Sequence, residues 1–440
     1  MNDRYIISVL VFLLFAGRII AQNIAPGYEV GVWQNFRSAA VTHTFDDNDL
    51  NQLAVAVLMF NEFNFKLTLF AITDATSGWR SPNWPGLAEA ATQGHEIASH
   101  TITHPRLNEL SIEQQTTELK NSHDTINENI TGQSALTLAY PYCVLSNASL
   151  TTQYYIAARG CQGSVERSTP LDMMNISSII CGSEGSVRTA ANFNSRVDAA
   201  VNSKGWCVFL IHGIDSDGGW SPVSSGEIRG HLEYLHANDN KFWVDTFGNV
   251  VRYIRERNAA SVSEISAEEN SITVQLTDGL DDAIYNYPIT IRRVLPQDWP
   301  SASAAQNGES ISAKIVEINS EKYVMFDAIP DGGDIVLTKS NATGIRLVEA
   351  AAPEQPFLMK NYPNPFNPST TIVYNVTETG QVKLEIYNVL GEKLETLVNE
   401  IKQPGRYTVQ WDASNYTSGI YIYKYEVDNK VFSERMAFIK

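Results

Sequence analysis

The chain has 440 residues, more than one hydrophobic core usually organises, so two to four domains are expected. Hydrophobic residues make up 43% and charged residues 18%, which excludes a disordered or collagen-like chain. The net charge of −17 (32 Lys and Arg against 49 Asp and Glu) repels phosphate backbones and argues against a nucleic-acid partner, but not against a neutral sugar polymer.

Arg4 precedes the apolar run Tyr5–Phe15, and small Ala21 stands before Gln22. This is the pattern of a secretory signal peptide over residues 1–21, with an apolar core too short to span a bilayer. No later stretch of about 20 apolar residues occurs, so no transmembrane span is expected in the mature chain. Export permits disulfides, and Cys143, Cys161, Cys181 and Cys207 allow three pairings. Their spacing does not suit a zinc ribbon; a Cys161–Cys181 bridge is the preferred expectation, with free buried thiols as the alternative.

From about Ser38 to Ala259, strand-like runs alternate with helical patterns. Ala39–Phe45, Lys66–Phe70, Ala135–Ala139 and Trp206–Ile211 read as buried strands, and Leu50–Phe63 as a helix. Ser111 and Gln114 form a capping-box start, followed by an apolar face of Ile112, Leu119, Ile126 and Ile130. Ser224 and Glu227 start another helix, with Ile228, Leu232 and Leu235 inward. This alternation predicts an α/β catalytic domain over residues 38–259, built on a parallel β/α sheet or barrel. From Ser261 to Val348, runs such as Ser271–Leu276 and Tyr323–Phe326 alternate with turns like Pro330-Asp-Gly-Gly333, predicting a small accessory β domain over 261–348. Ala350–Pro356 reads as a linker. Phe357–Lys440 is again all-β, with strands near Thr370–Val376, Val382–Val389, Gly405–Trp411 and Gly419–Val427.

Chemistry-bearing residues gather at the expected strand ends. Thr44-Phe-Asp-Asp47 places two adjacent carboxylates after the first strand. Neighbours on an extended chain point to opposite sides, so Asp46 and Asp47 share one site only if the strand ends there. One carboxylate then binds a metal while the other stays free as a base; a solvated turn capping the next helix is the alternative. Ser99-His-Thr-Ile-Thr-His-Pro105 sets His100 and His104 four apart, on one side of a helical turn, as two ligands of one metal require. His95, His100 and His104 fall within ten positions in a chain with only eight His. Two His and one Asp leave open positions, which a catalytic zinc needs for its water; the alternative is a hydrogen-bonded core pair. Leu138-Ala-Tyr-Pro-Tyr-Cys143 can turn sharply and present an N–H to an oxyanion, or is simply a turn. Phe209-Leu-Ile-His-Gly213 puts a lone His212 at another strand end, where a structural role would ordinarily be favoured.

In this order the four segments resemble the polysaccharide deacetylases of carbohydrate esterase family four, the NodB-homology domain, over about Ala39–Asn258. The resemblance implies a distorted (β/α) barrel that hydrolyses acetyl groups from sugars; the two small all-β, sandwich-like domains expected after it rest on the residue patterns above. It implies Asp46 as general base and Asp47, His100 and His104 as ligands of a divalent metal, zinc by preference. The main-chain N–H of Tyr142 becomes the oxyanion donor and His212 the general acid. The implied partner is an acetylated polysaccharide or oligosaccharide, O-acetylated as in acetylxylan or N-acetylated as in chitin or peptidoglycan. At the other end, Asn361-Tyr-Pro-Asn-Pro-Phe-Asn-Pro-Ser-Thr370, Tyr387-Asn-Val-Leu-Gly391 and Ser418-Gly-Ile-Tyr421 resemble the sorting domain of type IX secretion, with a sugar-binding module as the alternative. That implies a secretion-machinery partner for residues 357–440 and a secreted or cell-surface protein.

The chain departs from the family pattern in three places. Ala139 stands where the family carries an Arg that orients the base; Arg159, Arg188 and Asp215 are candidate replacements. No Asp-Trp pair supporting the acid His is recognisable between Cys143 and Trp206, which leaves His212 near the ordinary pKa of ~6.5 and favours esters over amides. Asn48 follows the Asp pair in place of the frequent Gly. Two rival readings are a non-haem iron oxygenase, which also uses two His and a carboxylate, and a non-catalytic glycan-binding protein on the same barrel. Trp79, Trp84 and Trp220 are candidates for stacking on sugar rings, with core or loop packing as the alternative for each.

Overall fold

The computed structural model of the chain describes residues 22–74, 76, 80–340, 361, 364–376, 379–402, 405–427 and 430–439. The expected signal peptide, the linker at Ala350–Pro356 and Trp79 lie outside the described residues. Among the described residues, no helix is long and apolar enough to cross a membrane.

Two short strands come first, β1 (Asn23–Ile24) and β2 (Tyr28–Val30), and take no part in the barrel. The barrel strands are β3 (Ala39–Asp46), β4 (Thr68–Ala71), β5 (Glu96–Ser99), β6 (Thr137–Ala139), β7 (Ala157–Arg159), β8 (Ile179–Ile180), β9 (Trp206–Ile211) and β10 (Phe242–Val244). They run in the order β7-β6-β5-β4-β3-β9-β8, with β10 paired to the first half of β3. Every ladder is parallel, so all C-terminal strand ends lie on one side, where the loops carry the chemistry. β3, β4, β5, β6, β7 and β9 are buried along their whole length, so they need not alternate; β3, β4, β6 and β9 were expected, whereas β5 and β7, short and carrying Glu96 and Arg159, were not.

The three expected helices form, with three adjustments, and Trp84–Thr92, Ala190–Ser203 and Phe247–Ala259 are additional. Ser111 does close a capping box on Ile112–Asn129, and Leu119, Ile126 and Ile130 are buried, but Ile112 is 54% exposed. Ser224 sits at the N-cap of Ser225–Ala237 without a side-chain cap; the Glu227 carboxylate instead accepts from the Ala190 N–H at 2.6 Å and ties two helices together. The expected helix over 50–63 begins as a π turn, Gln52–Val57, before the α turn Leu58–Glu62, an irregularity that recurs beside functional sites.

The β region after the barrel recruits the segment before it. β1 pairs in parallel with β11 (Ser261–Ala267), which pairs with β12 (Ser271–Thr277). β2 pairs with β13 (Ile289–Val294), whose other neighbour is the strand Glu321–Ala328. Strands of two and three residues are too short for any periodicity to announce them, so the Ser38 start misses them. The barrel and this β region form one compact unit. Within it, Tyr253 Oη donates to Gly31 O and Tyr287 Oη to Asp245 Oδ2 at 2.8 and 2.7 Å.

The second unit contains the C-terminal tail. A two-stranded sheet (Ser369–Val376 with Gly405–Asp412) and a four-stranded sheet enclose a core that includes Ile372, Leu384, Ile386, Trp411 and Tyr423. Four strands match expectation; Lys393–Lys402 and Lys430–Phe438 are additional, and their polar, half-exposed patterns concealed them.

The cysteine expectation is corrected. Cys143 and Cys161 form the disulfide, with Cα atoms 5.8 Å apart, while Cys181 and Cys207 are free and buried. Cys143 follows β6 and Cys161 follows β7; these strands are neighbours, which brings the two cysteines within bridging reach.

His43, His95 and His231 lie outside the candidate site and are buried. His43 sits among Phe60, Phe209 and His231 with ring centroids 4.9–5.2 Å away, and neither of its ring nitrogens has a hydrogen-bond partner. Burial pushes its pKa down to about 3 and that of His95 to about 4, and holds His231 well below the usual value. The unfolded chain takes up these protons below about pH 6.5 while the folded chain resists them, so stability falls as pH drops from there toward about 4. His43→Leu should reduce this acid sensitivity without lowering the unfolding midpoint near neutral pH. Thermal unfolding near neutrality and near pH ~5 reads it. An identical acid-induced loss in both proteins would remove His43 as a cause.

Candidate active site

β3 ends at Asp46, and Asp47 and Asn48 adopt left-handed backbone (φ 78° and 60°). That break in alternation is what lets two adjacent carboxylates face one site. Asn48 suits the left-handed region among non-glycine residues, and its amide donates to Ile72 O and Arg80 O at 2.8 and 2.7 Å. The departure from Gly therefore comes with two loop-fixing bonds. Gln52, on the π turn, donates its amide to Asp46 O and to His212 O, joining two strand ends.

The histidine segment follows β5, but not as the expected helical turn. Residues 100–105 form a loop, with Thr101 and His104 at φ 67° and 59°. The rings still meet, centroids 4.7 Å apart. Glu118, on the helix Ile112–Asn129, holds the loop by accepting from the N–H groups of Ile102 and Thr103 and from Thr103 Oγ1 at 2.7–3.0 Å. Nothing in the sequence marked Glu118 except its place on that helix.

His100 Nε2 and His104 Nε2 lie 3.5 and 3.3 Å from Asp47 Oδ1, and the three ligand atoms are within 4.8 Å of one another. Ligands about 2.0–2.2 Å from a tetrahedral zinc stand roughly 3.3–3.6 Å apart, so the spacing suits one ion. His100 Nδ1 is 2.8 Å from Ala139 O, which can only accept; Nδ1 carries the proton and Nε2 keeps its lone pair for a metal. Burial lowers both histidines to about 4, leaving them neutral, as ligands must be. Asp47 Oδ1 is buried with no hydrogen-bond partner, while Oδ2 pairs with Arg80 at 3.2 Å. A buried, unpartnered carboxylate oxygen facing two imidazole lone pairs fits a divalent cation.

Arg159 replaces the missing Arg. Ala139 on β6 is the registered partner of Arg159 on β7, so the guanidinium enters from the adjacent strand. It holds Asp46 through both oxygens, Nη1 to Oδ1 at 2.8 Å and Nη2 to Oδ2 at 2.6 Å, and also donates to Thr44 Oγ1 at 2.7 Å. Burial alone would raise the Asp46 pKa; Arg159 and His100 outweigh it and hold the carboxyl well below the usual range. Arg188 instead donates to Gly185 O, and Asp215 accepts from the Ser225 N–H.

His212 lies with Nε2 4.0 Å from Asp46 Oδ2, and Trp220 packs edge-on against it at 4.8 Å. Its Nδ1 is buried without a partner, in line with the absent supporting Asp. The expectation of an ordinary pKa is corrected: burial pushes His212 down to about 4. Tyr142 stands in the turn Pro141–Cys143 at φ 54°, its ring 4.6 Å from His104 and under the Arg106 guanidinium. The Cys143–Cys161 disulfide ties this turn to the segment two residues after Arg159. Of the candidate aromatic platforms, Trp220 is 45% exposed beside the site, whereas Trp84 packs against the barrel core.

Residues 34–157 match the family model for polysaccharide deacetylase, and residues 360–439 that for a secretion system C-terminal sorting domain. The chain thus carries a region matching polysaccharide deacetylases and a C-terminal region matching secretion sorting domains. A gellan lyase from a Bacillus species is 29% identical over 352 residues, covering 75% of this chain and 14% of the relative; the chain spans about one seventh of that protein's length. Similar solved structures include the Xyl-CE4 domain of a multidomain xylanase from the hindgut metagenome of Trinervitermes trinervoides (17% identity, TM-score 0.35, 48% of this chain and 89% of that one). Another is a peptidoglycan deacetylase from Bacillus subtilis (19% identity, TM-score 0.32, 48% of this chain and 89% of that one).

Breaking the Arg159–Asp46 pair should be costly. Arg159→Ala leaves a buried carboxylate uncompensated and should destabilise the fold by about 3–5 kcal/mol, measured by denaturant unfolding. Arg159→Lys, which keeps the charge but not the two-point grip, should recover part of that loss. A loss under ~1 kcal/mol in both variants would show that the pair is not the anchor described.

Proposed function

We propose that this chain is a secreted, metal-dependent deacetylase of an acetylated polysaccharide, with residues 38–259 as catalytic domain, 261–348 as accessory domain and 357–440 as sorting tail. The observation that carries the reading is Asp47 Oδ1, buried, unpartnered and facing Nε2 of both His100 and His104. Asp47, His100 and His104 would hold the metal, which when bound acidifies water and polarises the acetyl carbonyl. Asp46, oriented by Arg159, takes a proton from the attacking water. The N–H of Tyr142 meets the charge that develops on the carbonyl oxygen.

His212 then delivers a proton to the departing sugar oxygen or nitrogen. Because burial keeps its imidazole neutral at rest, that proton has to arrive during the reaction, and Asp46 Oδ2 at 4.0 Å is the donor at hand. Water thus supplies hydroxide to the acetyl carbon and, by way of Asp46 and His212, a proton to the leaving group; acetate and the free sugar group result. A resting-neutral acid suits an alkoxide better than the far more basic amide anion, so O-acetyl esters are the favoured class. Asp46, a second carboxylate beside the proposed ligands and outside their set, speaks for hydrolysis over oxygen chemistry, and Arg159 fills the gap at Ala139 that had favoured a non-catalytic binder.

The test is acetate release from acetylxylan, gellan, chitin oligomers and peptidoglycan, with and without chelator. Asp46→Asn should retain metal and lose turnover by about 10²–10⁴-fold, whereas Asp47→Asn should lose metal content. A fully active Asp46→Asn protein, or full activity in chelator, would sink this mechanism. Separately, deleting Phe357–Lys440 should leave turnover of the purified protein intact and stop its surface delivery. Loss of most turnover in a folded truncated protein would put the tail inside the active unit.

A further inference from the structure

The β region after the barrel holds a second set of oxygen donors, gathered from two loops distant in sequence. Asp278 and Asp282 lie just beyond β12, and Asp331 lies in the turn after the strand Glu321–Ala328. One carboxylate oxygen from each lies within 4.8 Å of the others. Among the described residues, no ion pair joins any of the three. Asp278 is only 6% exposed; its Oδ1 accepts from the Leu280 N–H at 2.7 Å, and its Oδ2 is buried without a partner.

The two loops are already registered on each other. The Asp331 N–H donates to Leu276 O at 2.9 Å, and Asp331 Oδ2 accepts from the Asp278 N–H at 3.1 Å. Nearby Glu256, fully buried on the last barrel helix, adds a further carboxylate whose Oε1 accepts from the Tyr287 N–H while Oε2 has no partner. Burial raises the Glu256 carboxyl to about 8, with the Asp278 charge adding to it; burial likewise raises Asp278, helped by Asp331 and Asp282. Like charges packed this closely need a proton or a cation between them.

We propose that Asp278, Asp282 and Asp331 bind one Ca²⁺ ion that fastens these two loops, at a site separate from Asp47, His100 and His104. The donors are all hard oxygens with no His or Cys, which disfavours zinc. Ca–O bonds of about 2.3–2.6 Å let ligands stand up to roughly 4.6–5.2 Å apart across the ion, so the observed spacing needs little movement. Mg²⁺, with shorter bonds and a stricter octahedron, suits a site shared by a rigid turn and an exposed carboxylate less well.

Chelator-stripped full-length protein is titrated with CaCl₂ by calorimetry and by thermal unfolding. One Ca²⁺ per chain should bind with a dissociation constant on the order of 10⁻⁴–10⁻³ M or tighter, and should raise the unfolding midpoint. Asp331→Asn should weaken binding at least about tenfold, as should Asp282→Asn, whose exposed side chain keeps the test valid if the first variant folds poorly. Asp47→Asn should leave Ca²⁺ binding unchanged. Absence of binding, unchanged affinity in both loop variants, loss of binding in Asp47→Asn, or equal binding of Mg²⁺ would each overturn the proposal. Stabilisation by Asp278→Asn with no response to Ca²⁺ would show that a shared proton holds the cluster instead.

Discussion

Two carboxylates side by side at the end of a buried strand are the constraint around which the candidate site is arranged. Asp46 and Asp47 are 1% and 3% exposed, so neither can rely on water to solvate its charge. Arg159 answers Asp46 through both oxygens, and Arg80 answers one oxygen of Asp47. The remaining oxygen faces two neutral imidazoles, which offer it lone pairs rather than charge. Of the four oxygens of the two carboxylates, Asp47 Oδ1 is the one left without a hydrogen-bond partner, and a cation fits there. Replacing either arginine by an apolar side chain would leave a buried charge unanswered, which is why such pairs are costly to break even when they add little net stability.

The loops that bring these groups together adopt backbone conformations that most side chains avoid. Asp47, Asn48, Thr101, His104, Tyr142 and Cys143 all have positive φ. Each such residue costs on the order of 1 kcal/mol or more and persists only where its surroundings over-determine it. Those surroundings are identifiable. Asn48 bridges to two carbonyls, Gln52 joins Asp46 and His212 through their backbones, Glu118 takes two N–H groups of the histidine loop, and the disulfide fixes the Tyr142 turn. These polar contacts are what hold the strained loop residues in place.

Much of this was legible in the sequence, for a physical reason: strands buried on both faces read as apolar runs, and polar residues at their C-terminal ends then stand out. The Asp pair was found that way and His100 and His104 by their spacing, and the structure brings all four together. The helical-turn rationale for the histidines was not right, because spacing alone cannot distinguish a helical turn from a loop with two left-handed residues. Arg159 was one of three candidates and could not be chosen, since its role depends on the register of β6 with β7, a non-local quantity. The same register decides the disulfide. β1 and β2 were missed because strands so short carry no pattern of their own.

The acid is where the chain differs most from what its motifs suggested. A histidine with a buried carboxylate partner on Nδ1 would be held protonated; His212 has an unpartnered Nδ1, an edge-on Trp220 and a pKa pushed down by burial. In the proposed reaction it therefore begins neutral and takes its proton from Asp46. Asp46, gripped by Arg159, is itself a weak base, so it holds a captured proton loosely and passes it on readily. Weak basicity in Asp46 and in the His212 imidazole are thus matched: in the proposed reaction the proton has no deep resting place between water and the leaving group. Such a relay works when the leaving group needs modest help, as an ester oxygen does, and works poorly when the departing nitrogen must be fully protonated first.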